Sequence, residues 1–318
     1  MNAQQWMEEV NSQFPVRKSK AEKQAFREYV LGKAKELEVP AHVETLGGKV
    51  LQHNDVVFGN LATAKVLVTA HYDTPATIGL PNLMLPTNRV LFLFMQLLIA
   101  LPMIVFCLVP MLLVGLLTDS VFWTELTLVA AYVLMMYLLL AGVPNRHNVN
   151  DNTSGTCAVL TLMERFRNEK RDDVAFILFD NEEKGTLGAA ALAKKYPALK
   201  KNALVLNLDC VGVGEAMLFL APKKAREDAC YAGMEEAVAK ASGLPVVFRA
   251  LEKSNFSSDQ KHFKKGIGIC ACHKGKRIGW YCSRIHTHRD TEYDEAAICA
   301  VVDGTEAAIH HAIRKEQA

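Results

Sequence analysis

The chain carries almost no surplus of charge of either sign: 36 lysines and arginines face 34 aspartates and glutamates, for a formal net charge of +2. That near-balance speaks against a nucleic-acid binder, whose footprint is a marked basic excess. A cysteine framework is missing too. The 8 cysteines are scattered, and Cys270-x-Cys272 followed by Cys282 is a poor match to structural zinc spacing. They read as reduced thiols, several of them buried as small hydrophobes. The first residues, Met1 to Lys20, hold no apolar core and no small-residue cleavage site, so no secretory leader is expected there. Nor is there an internal repeat or a low-complexity tract. With 22% charged and 8% aromatic residues, a disordered chain is excluded.

What the chain does have is a long hydrophobic insert. No charge occurs from Val90 to Thr118, and a second apolar stretch runs from Leu126 to Pro144. Each is long enough for a hydrocarbon layer that takes about 20 apolar residues to cross. Soluble core helices rarely stay apolar on every face for such a length, which disfavours a hairpin buried in an oligomer or a lid over a cleft. The expectation is a transmembrane hairpin spanning 89–144, with Pro102 and Pro110 kinking its first helix. Arg89 and Arg146 flank its outer ends, while Asp119 and Glu125 sit near its tip. The positive-inside rule then puts the rest of the protein in the cytoplasm.

Without the insert, residues 1–88 and 145–318 read as one discontinuous α/β domain. Ser19–Leu37 places Ala25, Phe26, Tyr29, Val30 and Ala34 at helical spacing among charges, predicting an amphipathic surface helix. Apolar, β-branched runs at Lys65–Thr69, Val174–Phe179, Ala203–Leu208, Met217–Leu220 and Ile267–Ala271 predict strands. Helical patterns at Cys157–Arg167, Thr186–Lys195 and Ala225–Ala241 lie between several of them. Alternation of this kind predicts a mostly parallel central sheet with helices on both faces.

The chemistry lies at the ends of those strands. The first leads into His71-Tyr72-Asp73, the second into Asp180-Asn181-Glu182-Glu183, and the third into Asp209. Open α/β sheets bind ligands at the carboxyl ends of their strands, so these groups should converge. Asp151-Asn152-Thr153-Ser154-Gly155 and Ile285-His286-Thr287-His288-Arg289-Asp290-Thr291 add a carboxylate and imidazoles. A convergent set of His and Asp/Glu is ligand chemistry for divalent zinc, manganese or cobalt. Singly, each motif is commonplace; their order and their position after buried strands carry the weight.

The series His71-x-Asp73, Asp151-Asn152-x-Ser154-Gly155, Glu182-Glu183, Asp209 and His286-Thr287-x-x-Asp290-Thr291 resembles the co-catalytic two-zinc aminopeptidases, a family that includes the bacterial leucyl aminopeptidases, aminopeptidase Y and, more remotely, glutaminyl cyclases. The resemblance covers the chain from about Phe14 onward, apart from the hairpin. It implies a zinc-exopeptidase fold and two divalent metal ions, zinc by ligand type. Asp151 would bridge the ions, His71 and Asp209 would complete one site, and Glu183 and His286 the other. Glu182 would serve as general base toward a bridging hydroxide, and Asp73 would fix the tautomer of His71. Asp290 would orient the segment bearing His286, and His288 competes with His286 as a ligand. Gln260 departs from the family, standing where a histidine is usual.

The function implied is a membrane-anchored aminopeptidase whose partners are peptides with a free N-terminus and the lipid bilayer. The alternatives are an amidase acting on N-acyl or lipid-linked amino acids, a glutaminyl cyclase-like acyl transferase, and, outside enzymes, a receptor or scaffold on a dead peptidase fold.

Overall fold

A computed structural model of the chain describes residues 1–48, 51–77, 82–169 and 171–317. Two helices come first, α1 (Ala3–Gln13) and α2 (Lys20–Glu36). Each starts at a reciprocal capping box, Asn2 with Gln5 and Ser19 with Glu22, which satisfies backbone donors that a helix start leaves open. The predicted amphipathic helix is α2, and it buries Phe26, Val30 and Ala34. Strands β1 (Ala41–Gly47), β2 (Gln52–Phe58), β3 (Val66–His71) and the short β4 (Leu83–Met84) follow, then the long helices α3 (Arg89–Thr118) and α4 (Val121–Ala141). After them come α5 (Gly155–Phe166), β5 (Val174–Phe179), α6 (Leu187–Lys195), α7 (Pro197–Asn202), β6 (Leu204–Leu208) and β7 (Ala216–Ala221). The chain ends with α8 (Lys223–Arg226), α9 (Met234–Ala241), β8 (Val246–Ala250), β9 (Lys265–Gly275), β10 (Gly279–Ser283) and α10 (Glu295–Gln317).

Among the described residues the strands form one sheet in the order β1-β2-β5-β3-β6-β9-β10-β4, with β7 pairing both β9 and β8. Strands β5, β3, β6 and β9 run parallel, as does the pair β7–β8. The flanking pairs β1–β2, β2–β5, β7–β9, β9–β10 and β10–β4 are antiparallel. The sheet is therefore mixed, and the expected parallel character belongs to its centre. Every residue of β3, β5 and β6 is buried, because a central parallel strand is covered on both faces. Alternate residues serve opposite layers. Val66, Val68 and Ala70 join the core beneath α1, α2, α5 and α10, whereas Leu67, Ala175, Ile177 and Val205 face α6 and α7.

The helix expected over Ala225–Ala241 is interrupted. It breaks into α8 and α9 around a turn in which Asp228 Oδ1 accepts from the Cys230 N–H and Gly233 takes a positive φ of 83°, a conformation that suits glycine.

Helices α3 and α4 pack along each other, with Cys107 against Met135. Their most apolar windows have mean hydropathy of 2.9 and 1.6, yet only 6% of each is buried. Leu97 is 68% exposed and Leu116 and Leu117 are each 83% exposed. Both helices are long and apolar enough to cross a membrane. The two segments that enter and leave the pair are stitched to each other at its base. The Thr77 N–H donates to the Val143 carbonyl at 2.9 Å, and the Asn145 N–H to the Pro75 carbonyl at 3.0 Å. The chain thus leaves the region after His71 and returns to the region before Asp151 at nearly the same place.

Candidate metal centre and active site

The fold brings the sequence-predicted residues to one edge of the sheet. His71 ends β3, Glu182 and Glu183 follow β5, Asp209 follows β6, Asp151 precedes α5, and His286 lies in the loop after β10. Three groupings, His71–Asp151–Asp209, Asp151–Glu183–His286 and His71–Glu182–Glu183, each hold their ligand atoms within 4.8 Å of one another. Asp151 is the centre. Its Oδ1 lies 3.4 Å from His71 Nε2, and its Oδ2 lies 2.9 Å from His286 Nε2, which also stands 3.6 Å from Glu183 Oε2. One carboxylate therefore presents each oxygen to a different imidazole. Among the described residues His286 is in one of these groupings and His288 in none.

Local backbone explains why these side chains meet. Asn181, Cys210 and His286 all have positive φ, at 58°, 57° and 57°. Each lies within, or directly beside, a turn that carries a site residue. Non-glycine residues rarely adopt this region, and such strained positions tend to cluster at functional sites.

Every polar position of the 151–155 motif also has a tie. Asn152 Nδ2 donates to the Leu208 carbonyl at 2.9 Å, and its Oδ1 accepts from the N–H groups of Gly155 and Cys210. Ser154 Oγ donates to the Asn150 carbonyl and accepts from the Val211 N–H. Gly155 is required sterically, since an added Cβ would lie 2.4 Å from Asn152 Oδ1 and 2.5 Å from the Leu208 carbonyl oxygen. Thr156 Oγ1 donates to the His71 carbonyl at 2.8 Å. The motif is a latch that fastens Asp151 to the exits of β3 and β6.

Two positioning residues have ties beyond the expected ones. The Asp73 carboxylate accepts the N–H of Glu182 at 3.0 Å and of Glu183 at 3.2 Å. Its own carbonyl oxygen, at 3.2 Å, stands nearer to His71 Nδ1 than its carboxylate does, at 3.7 Å. Asp73 thus fixes the Glu182–Glu183 turn as well as facing His71. Asp290 accepts the N–H groups of Asn150 at 2.8 Å and Asp151 at 3.0 Å, and its own N–H donates to the Thr287 carbonyl, so it ties the loop bearing His286 to the Asp151 turn. Gln260 is fully buried and accepts from Asn207 Nδ2 on β6, so the position that departs from the family packs beneath the sheet.

Sequence reasoning passed over Arg17. It is fully buried, donates from Nε to the Tyr72 carbonyl and from Nη2 to Thr153 Oγ1, and so ties the His71 turn to the Asp151 turn. A lone arginine in a polar N-terminal stretch gives no sequence signal of that. Asp259 was also passed over: it is buried with neither carboxylate oxygen hydrogen-bonded, and burial pushes it up to about 8.

The electrostatics fit a cation site. Burial raises Glu182 well above the usual carboxylate range, against the pull of His71 and with Glu183 adding to the rise. Burial likewise carries Glu183 up to about 8, against the pull of His286. For His286, burial opposes the charge, but Glu183 and Asp151 outweigh it and take the imidazole to about 10. Asp151 is held below its usual range, with burial overcome by His286 and His71. The buried carboxylates outnumber the imidazoles that could balance them, and Glu183 Oε1 has no hydrogen-bond partner. Uncompensated buried charge is costly, and oxygen and imidazole donors converging on it suit a divalent cation.

Comparison with known proteins agrees. Residues 136–302, more than half of the chain, match peptidase family M28. The chain belongs to that family. It is accordingly a metal-dependent enzyme of the metallo-exopeptidase class, a hydrolase. The matched span holds Asp151, Glu182, Glu183, Asp209 and His286. Among solved structures, the M28 chain is similar in fold to the LapA aminopeptidase of Legionella pneumophila. The TM-score is 0.60 at 11% identity, over 98% of this chain and 70% of that one. LapB of the same organism gives 0.59 at 13%, over 98% and 71%. A glutaminyl cyclase of Porphyromonas gingivalis also gives 0.59, at 14% identity, over 100% of this chain and 98% of that one. No curated protein sequence matches.

Proposed function

We propose that the chain is a membrane-anchored zinc aminopeptidase that removes N-terminal residues from peptides. The observation that supports this best is the split of the Asp151 carboxylate between His71 on one side and His286 with Glu183 on the other. On this reading His71, Asp151 and Asp209 would hold one zinc ion, and Asp151, Glu183 and His286 a second. Ions there would supply Lewis-acid polarisation of the scissile carbonyl and acidify water. Glu182, outside those two sets although it also stands with His71 and Glu183, would be the proton carrier. Buried and raised in pKa, its carboxyl can take a proton from the attacking water and deliver it to the departing amine. Asp73 holds that carboxyl in place through the Glu182 and Glu183 N–H groups.

The domain comprising 1–88 and 145–318 would be cytoplasmic, anchored by the 89–144 hairpin. The glutaminyl cyclase likeness keeps acyl transfer in view. Two complete ligand sets about Asp151 favour two-ion hydrolysis over a single-metal cyclase.

The test is hydrolysis of amino-acid amides by detergent-solubilised protein, with and without chelator, beside their N-acetylated counterparts and a peptide starting with glutamine. Chelator-sensitive cleavage confined to free amines is expected, with close to two equivalents of metal in the purified protein. Cleavage of acylated substrates instead, or cyclisation of the glutamine peptide without hydrolysis, would overturn the assignment.

A further inference from the structure

The turn joining β9 to β10 reads Lys274-Gly275-Lys276-Arg277-Ile278-Gly279-Trp280, and Lys274, Lys276 and Arg277 are all exposed. Among the described residues no carboxylate forms an ion pair with any of the three; the nearest acidic contact is Glu215, which accepts the backbone N–H of Lys274 at 2.9 Å. Lys274 Nζ stands 5.4 Å from the centre of the Trp280 ring. This turn is fastened to the entry of the hydrophobic hairpin. Asn88, the N-cap of α3, donates from Nδ2 to the Ile278 carbonyl at 3.2 Å, and Thr87 Oγ1 accepts the Trp280 N–H at 3.1 Å. Gly279 fits there because a Cβ would come within 3.0 Å of that same Thr87 oxygen and its φ is +77°. The turn is therefore level with the first residues of α3, where exposed Arg89 precedes the uncharged run.

We propose that this turn is a lipid-binding contact that seats the catalytic domain on anionic phospholipid headgroups. The inference rests on the reading that α3 and α4 cross the bilayer. Given that, the turn lies in the headgroup layer, where lysine and arginine bind anionic lipid and tryptophan partitions into the interface. Its charge complements the anionic cytoplasmic leaflet. The consequence is mechanical: a second contact beside the hairpin fixes how the His286 edge faces the membrane.

The experiment uses the full-length protein in nanodiscs of phosphatidylcholine, with or without phosphatidylglycerol, and reads amide hydrogen exchange over residues 274–281. Phosphatidylglycerol should slow exchange there by roughly fivefold or more, the scale of one basic residue at a charged surface. High salt and the K274E/K276E/R277E variant should each abolish the effect. Equal exchange in the two lipids overturns the proposal, and this comparison needs no variant. Protection by soluble glycerophosphate in phosphatidylcholine discs would also overturn it, assigning the turn to a free anion. Extraction of wild-type protein from membranes with alkaline carbonate is read separately: release would overturn the transmembrane reading itself, whereas retention with equal exchange would overturn the lipid contact alone.

Discussion

At the residue scale, Glu182 and Asp151 occupy adjoining positions in one cluster, yet they should fail differently. Glu182 is argued to move a proton, so Glu182→Gln removes the acid–base function with little change in shape. That substitution should lower kcat by about 10²–10⁴-fold, with metal content measured on the same sample unchanged. Asp151 shares its two oxygens between two histidines, so Asp151→Ala takes a donor from both sets at once. Metal analysis should find both equivalents lost; retention of either ion would contradict the shared-carboxylate arrangement. The contrast between the two variants is more informative than either loss of activity, since many substitutions in a buried polar cluster reduce turnover.

At the scale of the element, the 151–155 turn acts as a unit whose parts have no slack. Gly155→Ala would drive a methyl group into Asn152 Oδ1 and the Leu208 carbonyl. Relief by moving either one breaks the tie between Asp151 and the end of β6. A loss of about 1–3 kcal/mol is expected from the overpacking, read as a lowered thermal transition, together with weaker metal retention in a chelator competition assay. A destabilised protein with undiminished metal affinity would show that the turn supports the fold but not the site. This element also shows what the sequence made legible. The order of His71, Asp151, Glu182, Glu183 and Asp209 could be read because each follows or precedes a run whose apolar pattern is unmistakable, and the hairpin for the same reason; His286 follows the short, half-buried β10 and was legible only through the resemblance of its motif. The antiparallel flanks were hidden because β1 alternates buried and exposed positions and its partner is half polar, a pattern that only pairing makes meaningful. Arg17 was missed, and the tie from Asp290 to the Asp151 turn was not foreseen, because their partners lie far away in the chain, and residue types alone do not disclose those.

At the scale of the whole molecule, the site is a store of buried charge whose cost depends on what neutralises it. In the metal-free protein that agent is the proton. Glu183 rises from an ordinary 4.5 to about 8 in the folded state. Between those values the folded chain keeps a proton that the unfolded chain has released, so this group's contribution is full below pH 4.5 and is lost as pH climbs toward 8. One such group costs about 1.4 kcal/mol per pH unit across that window. His286, raised to about 10, has the same sign, with its share present below about 6.5 and lost as pH rises through 10. Asp259, pushed up to about 8, adds a further slope, but it lies outside the proposed ligand sets. A bound cation would take over the proton's role at Glu183 and His286, and its charge would also reach Asp259, which feels His71 and Asp209. Thermal unfolding from pH 5 to pH 8 should therefore show the chelated protein losing stability steeply and the zinc-loaded protein losing it more gently. Parallel curves would mean that the cation does not replace protons at Glu183 and His286, and the ligand assignment of both residues would fall with that result.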